Sequence, residues 1–123
     1  MKFGVFYEHQ LPQPCENGGE QKMFSNALEQ IELADRIGFN YIWQVERHFL
    51  KEYSHSSAPE VFLGWRFAAY KEYSHLATHL SSPPRHNHPA RLTERLATLD
   101  LISGGHVEWG TGESASLIEM DLG

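Results

Sequence analysis

The sequence predicts an α/β protein built on a parallel sheet, and three observations carry that reading. Short apolar runs alternate with helical patterns from the first residue. A helical stretch at 24–37 is joined by one or two residues to an apolar run at 39–45, the short connection of a crossover that returns to the same sheet edge. The stretch Tyr41-Ile-Trp-Gln-Val-Glu-Arg-His-Phe49 begins apolar and ends in charged and imidazole side chains. α/β enzymes place chemistry in that way, at the carboxyl edge of the sheet.

Residues 2–7 are an apolar run at the very start, expected as a strand buried on both faces. Pro12 and Pro14 end it, because proline cannot continue a central strand. Phe24, Ala27, Leu28, Ile31, Ala34 and Ile37 follow the spacing of one helix face. Ser25 or Asn26 is the expected cap, with Glu29 three residues after Asn26 as in a capping box. Gly38 supplies a left-handed stop. Residues 39–45 form the second strand. Ser56-Ser-Ala-Pro-Glu60 starts a second helix, with Pro59 in its first turn. Asn87-His-Pro89 opens a third in the same way, with Leu92, Leu96, Leu99 and Ile102 on one face and Gly104-Gly105 as its end. His106-Val-Glu-Trp-Gly110 is then a strand.

Composition narrows the function. The chain has 123 residues, room for one domain, with 41% hydrophobic and 21% charged residues, as in globular proteins. Sixteen Asp/Glu against ten Lys/Arg give a formal charge of -6, which argues against nucleic acid or an anionic membrane as partner. The single Cys15 cannot pair within the chain, and there is neither a signal-like start nor an apolar run of spanning length. A cytoplasmic protein is expected.

Several groups are candidates for chemistry. Glu46-Arg47-His48, at a strand end, suits acid–base work or anion binding, since His exchanges protons near neutral pH; the plainer reading is a solvated strand end. Gly110-Thr-Gly-Glu-Ser114 is a small-residue loop that lets a ligand approach the backbone, but it matches no phosphate-loop or dinucleotide pattern. Trp43 and Trp109 are expected to fill the core, with a planar cofactor as the alternative neighbour. His75 and His79, and His86 and His88, have spacings compatible with a metal, but no further ligands complete a recognised set; a His-rich metal binder is a minor alternative, and no metal site is assigned. Nothing beside Cys15 suggests an activated nucleophile.

Taken together, several of these stretches resemble the bacterial luciferase-like monooxygenases. They are Glu29-Gln-Ile-Glu-Leu-Ala-Asp-Arg-Ile-Gly-Phe-Asn-Tyr-Ile-Trp43, Val45-Glu-Arg-His-Phe49, Tyr53-Ser-His-Ser-Ser-Ala-Pro-Glu60, Asn87-His-Pro-Ala-Arg91, Leu96-Ala-Thr-Leu-Asp-Leu-Ile-Ser-Gly-Gly105 and Val107-Glu-Trp-Gly-Thr-Gly-Glu-Ser114. The resemblance covers most of the chain, in order. It implies a (β/α)₈ TIM barrel that binds reduced flavin mononucleotide (FMN), or in some branches a deazaflavin, at the carboxyl ends of its strands. It further implies oxidation of a small organic substrate with O2, often in a homodimer. By resemblance His48 is the candidate catalytic residue, for proton exchange at the flavin. Tyr7, Gly110, Thr111 and Gly112 are the candidates for cofactor binding.

Three departures qualify the resemblance. The family's Glu-His-His-Phe reads Glu46-Arg47-His48-Phe49 here, and the His implicated in luciferase catalysis is the one replaced by Arg47, which stays protonated and cannot act as a base. The resemblance stops at Gly123, after the fourth expected strand, so the expected fold is the N-terminal half of the barrel, truncated. A non-catalytic fragment is therefore the alternative function. Finally, residues 65–82 do not look like the family. Codons permitted for residues 65–75, read one base later, spell Gly-Ala-Ser-Gln-Arg-Thr-Lys-Asn-Ile-Arg-Ile, which does resemble it; a pair of compensating frame shifts is favoured over a duplication of Lys-Glu-Tyr-Ser-His. The third strand would then carry Lys71, Glu72, Ser74, His75, His79, Ser81 and Ser82 where apolar residues belong, at about 1–3 kcal/mol for each buried unsatisfied group. An irregular segment at 65–82 is expected, with a short helix at 70–80 as the alternative.

Overall fold

A computed structural model describes residues 1–69, 76–81 and 87–112. Strands and helices alternate: β1 (Gly4–Tyr7), α1 (Gly19–Arg36), β2 (Tyr41–Val45), α2 (Pro59–Ala69), β3 (Leu76–Ser81), α3 (Pro89–Ser103) and β4 (Val107–Gly112). The strands form one sheet in the order β1-β2-β3-β4, and every pairing is parallel. This sequential order lacks the reversal that marks doubly wound sheets.

The helices begin and end for local reasons. α1 starts earlier than the expected cap at Ser25 or Asn26, because Gly18 takes a left-handed conformation (φ 82°) and caps with no side-chain bond. The helical face therefore gains two turns from residues whose glycines suggested a loop. Gly38, at φ 93°, ends the helix as expected, and its N–H donates to the Asp35 carbonyl at 2.9 Å. α3 has His88 as its N-cap, Pro89 next and left-handed Gly104 as its C-cap.

The expected irregularity at 65–82 is corrected in two places. α2 runs on through residues 65–69, where no Gly or Pro breaks it after Gly64. Residues 76–81 form a regular strand, which also overturns the helix expected over 70–80 for that part; residues 70–75 and 82 lie outside the described residues. Most of the troublesome polar residues precede the strand. Its ladder is a backbone property, satisfied by β2 on one side and β4 on the other. Its register sets Leu76 between Ile42 and Val107 and Thr78 between Gln44 and Trp109.

The core lies on one face of the sheet. Tyr7 and Ile42 pack with Ala27, Ile31 and Ala34 of α1, Leu63 of α2 and Leu99 of α3, flanked by Val5, Phe39, Phe62 and Val107. All three helices thus serve the same face. Among the described residues the other face is not covered in this way: Phe6 is 55% exposed, which corrects the expectation that β1 is buried on both faces. Trp109, 52% exposed, does not fill the core, and Trp43 is half-buried. No described helix is long and apolar enough to cross a membrane.

Candidate active site

The carboxyl ends of the strands gather most of the buried polar groups. β2 leads directly into Glu46, which is 3% exposed although its side chain is a carboxyl group. Its Oε1 meets His48 Nε2 at 2.8 Å and accepts a hydrogen bond from Asn87 Nδ2 at 2.6 Å. Its Oε2 is buried without a hydrogen-bond partner among the described residues. Beyond Asn87 the contacts continue into the helices. Arg95 of α3 donates to Asn87 Oδ1 through one terminal nitrogen, and through the other to Glu60 Oε1 of α2 at 2.6 Å. Arg47, the neighbour of Glu46, places its Nε 3.9 Å from Glu8 Oε2 at the end of β1.

A second buried polar cluster supports β2 from the helix side. Gln44 Nε2 donates to Ser56 Oγ at 2.8 Å, and Ser56 Oγ donates to the Val45 carbonyl at 2.5 Å. The loop from β2 to α2 is further held by the Arg47 N–H, which donates to the Ser56 carbonyl at 2.8 Å. Beside Gln44 lies His9, in a left-handed conformation (φ 53°) and 5% exposed. Its ring stacks on Tyr7 at 5.5 Å and meets Phe24 and Phe62 at 4.9 Å each. Neither ring nitrogen makes a hydrogen bond of ordinary geometry among the described residues. Burial first and the neighbouring His55 second lower its pKa, Gln44 pulls the other way, and the net result is about 4.

The residues singled out in the sequence fall in different parts of this edge. His48 belongs to the Glu46 cluster. Tyr7 is turned into the core, where its hydroxyl donates to Gln30 Oε1 of α1 at 3.4 Å and burial raises its pKa. It lines an open cavity of about 520 Å³ between the β1–α1 loop and α1, with His9, Cys15, Lys22 and Gln30. Gly110, Thr111 and Gly112 end β4, opposite His79, Leu80 and Ser81 of β3; Glu113 and Ser114 lie outside the described residues. Of the histidines considered for a metal, His88 accepts from the Ala90 N–H at 3.3 Å as a helix cap, while His75 and His86 lie outside the described residues. Among the described residues no group of three or more His, Cys, Asp or Glu could hold a metal ion.

Sequence reasoning missed the partners of Glu46. Asn87 and Glu60 were read only as parts of helix openings, and Arg95 was not singled out. Asn87 stands 41 positions from Glu46, so no local spacing announces the contact. His9 and Gln44 were likewise unremarkable. A buried-looking strand that carries a glutamine was the one available sign that a polar partner was needed.

Comparison with known proteins agrees with this geometry. The family model for luciferase-like monooxygenases matches residues 1–123. The oxygenase component of the flavin-dependent trigonelline monooxygenase of Acinetobacter baylyi is 26% identical over 98% of this chain and 32% of its own length. A luciferase-like monooxygenase of Escherichia coli K12 is 27% identical over 80% of this chain and 29% of its own. Among solved structures, monooxygenase RslO1 of Streptomyces bottropensis superposes with a TM-score of 0.81 at 31% identity, over 99% of this chain and 36% of its own. The oxygenating constituent of 3,6-diketocamphane monooxygenase of Pseudomonas putida, a type II Baeyer–Villiger enzyme solved with FMN, superposes with a TM-score of 0.83 at 17% identity. It is covered over 32% of its length, so the chain spans about a third of the proteins it matches. By the match over its whole length, this chain belongs to the luciferase-like monooxygenase family.

Proposed function

We propose that this chain forms the N-terminal part of a flavin-dependent monooxygenase barrel that oxidises a small organic substrate with O2. The observation that carries the reading is the pair of buried Glu46 and half-buried His48 at the carboxyl end of β2, in a sheet whose parallel strands follow one another in order. Active sites of parallel barrels lie at that end.

Features of this edge fit a flavin. Glu46 Oε2 is a buried acceptor without a hydrogen bond among the described residues, suited to an N–H donor. Phe6 and Trp43 are neighbours in one row of the sheet face that the helices leave uncovered, an aromatic surface for a planar ring. Gly110 and Gly112 bring backbone without side chains to the end of β4. In this proposal Gly110, Thr111 and Gly112 hold the cofactor and Tyr7 supports it from the core side. His48 exchanges the proton. The cofactor is reduced FMN, with a deazaflavin as the branch alternative. Bound reduced flavin supplies two electrons, so that one atom of O2 enters the substrate and the other leaves as water. The chain's own contribution is to orient the ring, exclude water and hold a proton at His48. A homodimer in the cytoplasm is part of the proposal.

A second reading has support of its own. Phe6 and Trp109 are each more than half exposed on the sheet, which suits a piece that associates rather than catalyses. Titrating the purified chain with FMN and with a deazaflavin separates the two. Quenching of cofactor fluorescence that saturates is expected for the enzyme reading. A signal unchanged from free cofactor overturns it and leaves the non-catalytic one.

A further inference from the structure

The donor and acceptor roles along the Glu46 cluster are not independent. A guanidinium can only donate. Arg95 donates one N–H to Glu60 and another to the side chain of Asn87, so the group that Asn87 turns toward Arg95 must be its carbonyl oxygen. That choice fixes the amide, which is otherwise ambiguous between oxygen and nitrogen. With Oδ1 committed to Arg95, Nδ2 faces Glu46 and donates to Oε1 at 2.6 Å. As a carboxylate Glu46 can only accept, so the imidazole nitrogen 2.8 Å from its Oε1, Nε2 of His48, carries the hydrogen of that contact. Arg95 on α3 thereby sets which group of Asn87 supports the carboxylate that holds His48 at the end of β2.

We propose that Arg95 is a positioning residue for His48: through the Asn87 amide and the Glu46 carboxylate it fixes an imidazole that carries its hydrogen on Nε2. When His48 is neutral, its basic nitrogen is then Nδ1, so the same cluster decides which nitrogen can accept a proton. Glu60 completes the arrangement by anchoring the far side of the guanidinium. Burial gives the arrangement its force, because Glu46 is 3% exposed and water cannot readily replace a lost donor. The inference rests on the reading of His48 as the proton-exchanging group, but its geometry does not depend on flavin.

The test is nuclear magnetic resonance of the full chain labelled with 15N at histidine, with His48 assigned by comparison with His48→Gln. In the native chain the neutral His48 ring should show Nε2 protonated, with its N–H proton exchanging slowly with water. Asn87→Ala and Arg95→Met should each speed that exchange by ~10-fold or more, as loss of a charge-assisted bond requires, and move the ring nitrogens toward tautomer averaging. Arg95→Lys, also donor-only, should retain the native signature. Circular dichroism and amide spectra identify variants that remain folded; Arg95→Lys serves as the second comparison if Arg95→Met does not. A native ring protonated on Nδ1 overturns the inference, as does unchanged exchange in folded Asn87→Ala. None of these readings uses flavin. Failure to bind flavin with the native signature present defeats the enzyme reading alone, and flavin binding with an Asn87-independent signature defeats the positioning role alone.

Discussion

The rings of His9 and Phe62 meet edge to face at 4.9 Å, joining the end of β1 to α2 through an imidazole whose two nitrogens make no hydrogen bond of ordinary geometry among the described residues. An imidazole in this setting behaves as an aromatic spacer rather than as a base. Its folded pKa of about 4 lies below the ordinary value of 6.5.

The sign of the resulting pH dependence follows. Between pH 6.5 and about 4 the unfolded chain binds a proton at His9 and the folded chain does not, so the stability present above pH 6.5 is lost as pH falls through that window. The loss levels off below the folded pKa and amounts to ~3 kcal/mol at most. Urea denaturation of the native chain and of His9→Phe, repeated from pH 7.5 to 4, checks this. The variant should show a shallower decline across that window.

Ser56 is expected to matter more than its size suggests. Its Oγ accepts from Gln44 and donates to the Val45 carbonyl, and both Gln44 and Ser56 are almost fully buried. Ser56→Ala strands an amide donor and a carbonyl acceptor together, so a loss of about 1–3 kcal/mol is expected in urea melts. A loss within the error of the melt would mean that water or a rotated Gln44 replaces the hydroxyl.

Gly4 sits where β1 and β2 approach closely. A Cβ built there would lie 3.0 Å from Tyr41 Cβ and 3.1 Å from both the Tyr41 carbonyl and Trp43 Cδ1. Two of these neighbours cannot swing aside without moving the β2 backbone. Gly4→Ala should cost about 1–3 kcal/mol, as overpacking does, and should selectively speed amide exchange of the β1–β2 ladder, read by hydrogen exchange.

Leu63 is fully buried in the cluster that joins α2 to the sheet. Leu63→Ala should lower stability by about 2–5 kcal/mol, measured by denaturant titration. By contrast, Val61, 67% exposed two positions earlier on the same helix, should tolerate Ala with little change.

Much of the architecture was legible without coordinates. Pro59, Pro89, Gly38 and Gly104-Gly105 mark helix ends through their own backbone preferences, and they mark them in the structure. The start of α1 was misread because Gly18-Gly19 signals a loop and a glycine N-cap equally well. The candidate site was legible only in part. His48 could be singled out by its place after an apolar strand, and by resemblance, but its supporting groups could not.

What the sequence alone determined is the alternation of strands and helices, the parallel sheet and the membership in a family, because periodicity, caps and motifs are properties of neighbouring residues. The tertiary structure decided two further things. It set residues 76–81 into a regular strand despite an unpromising composition, since a ladder is made by backbone groups of the strands on either side. It also brought Asn87 to Glu46 and Arg95 to Asn87, as helices wound on one face of a sheet must carry distant residues to its carboxyl edge. A buried carboxylate then takes the donors that packing supplies, and their identity lies in the fold rather than in the spacing.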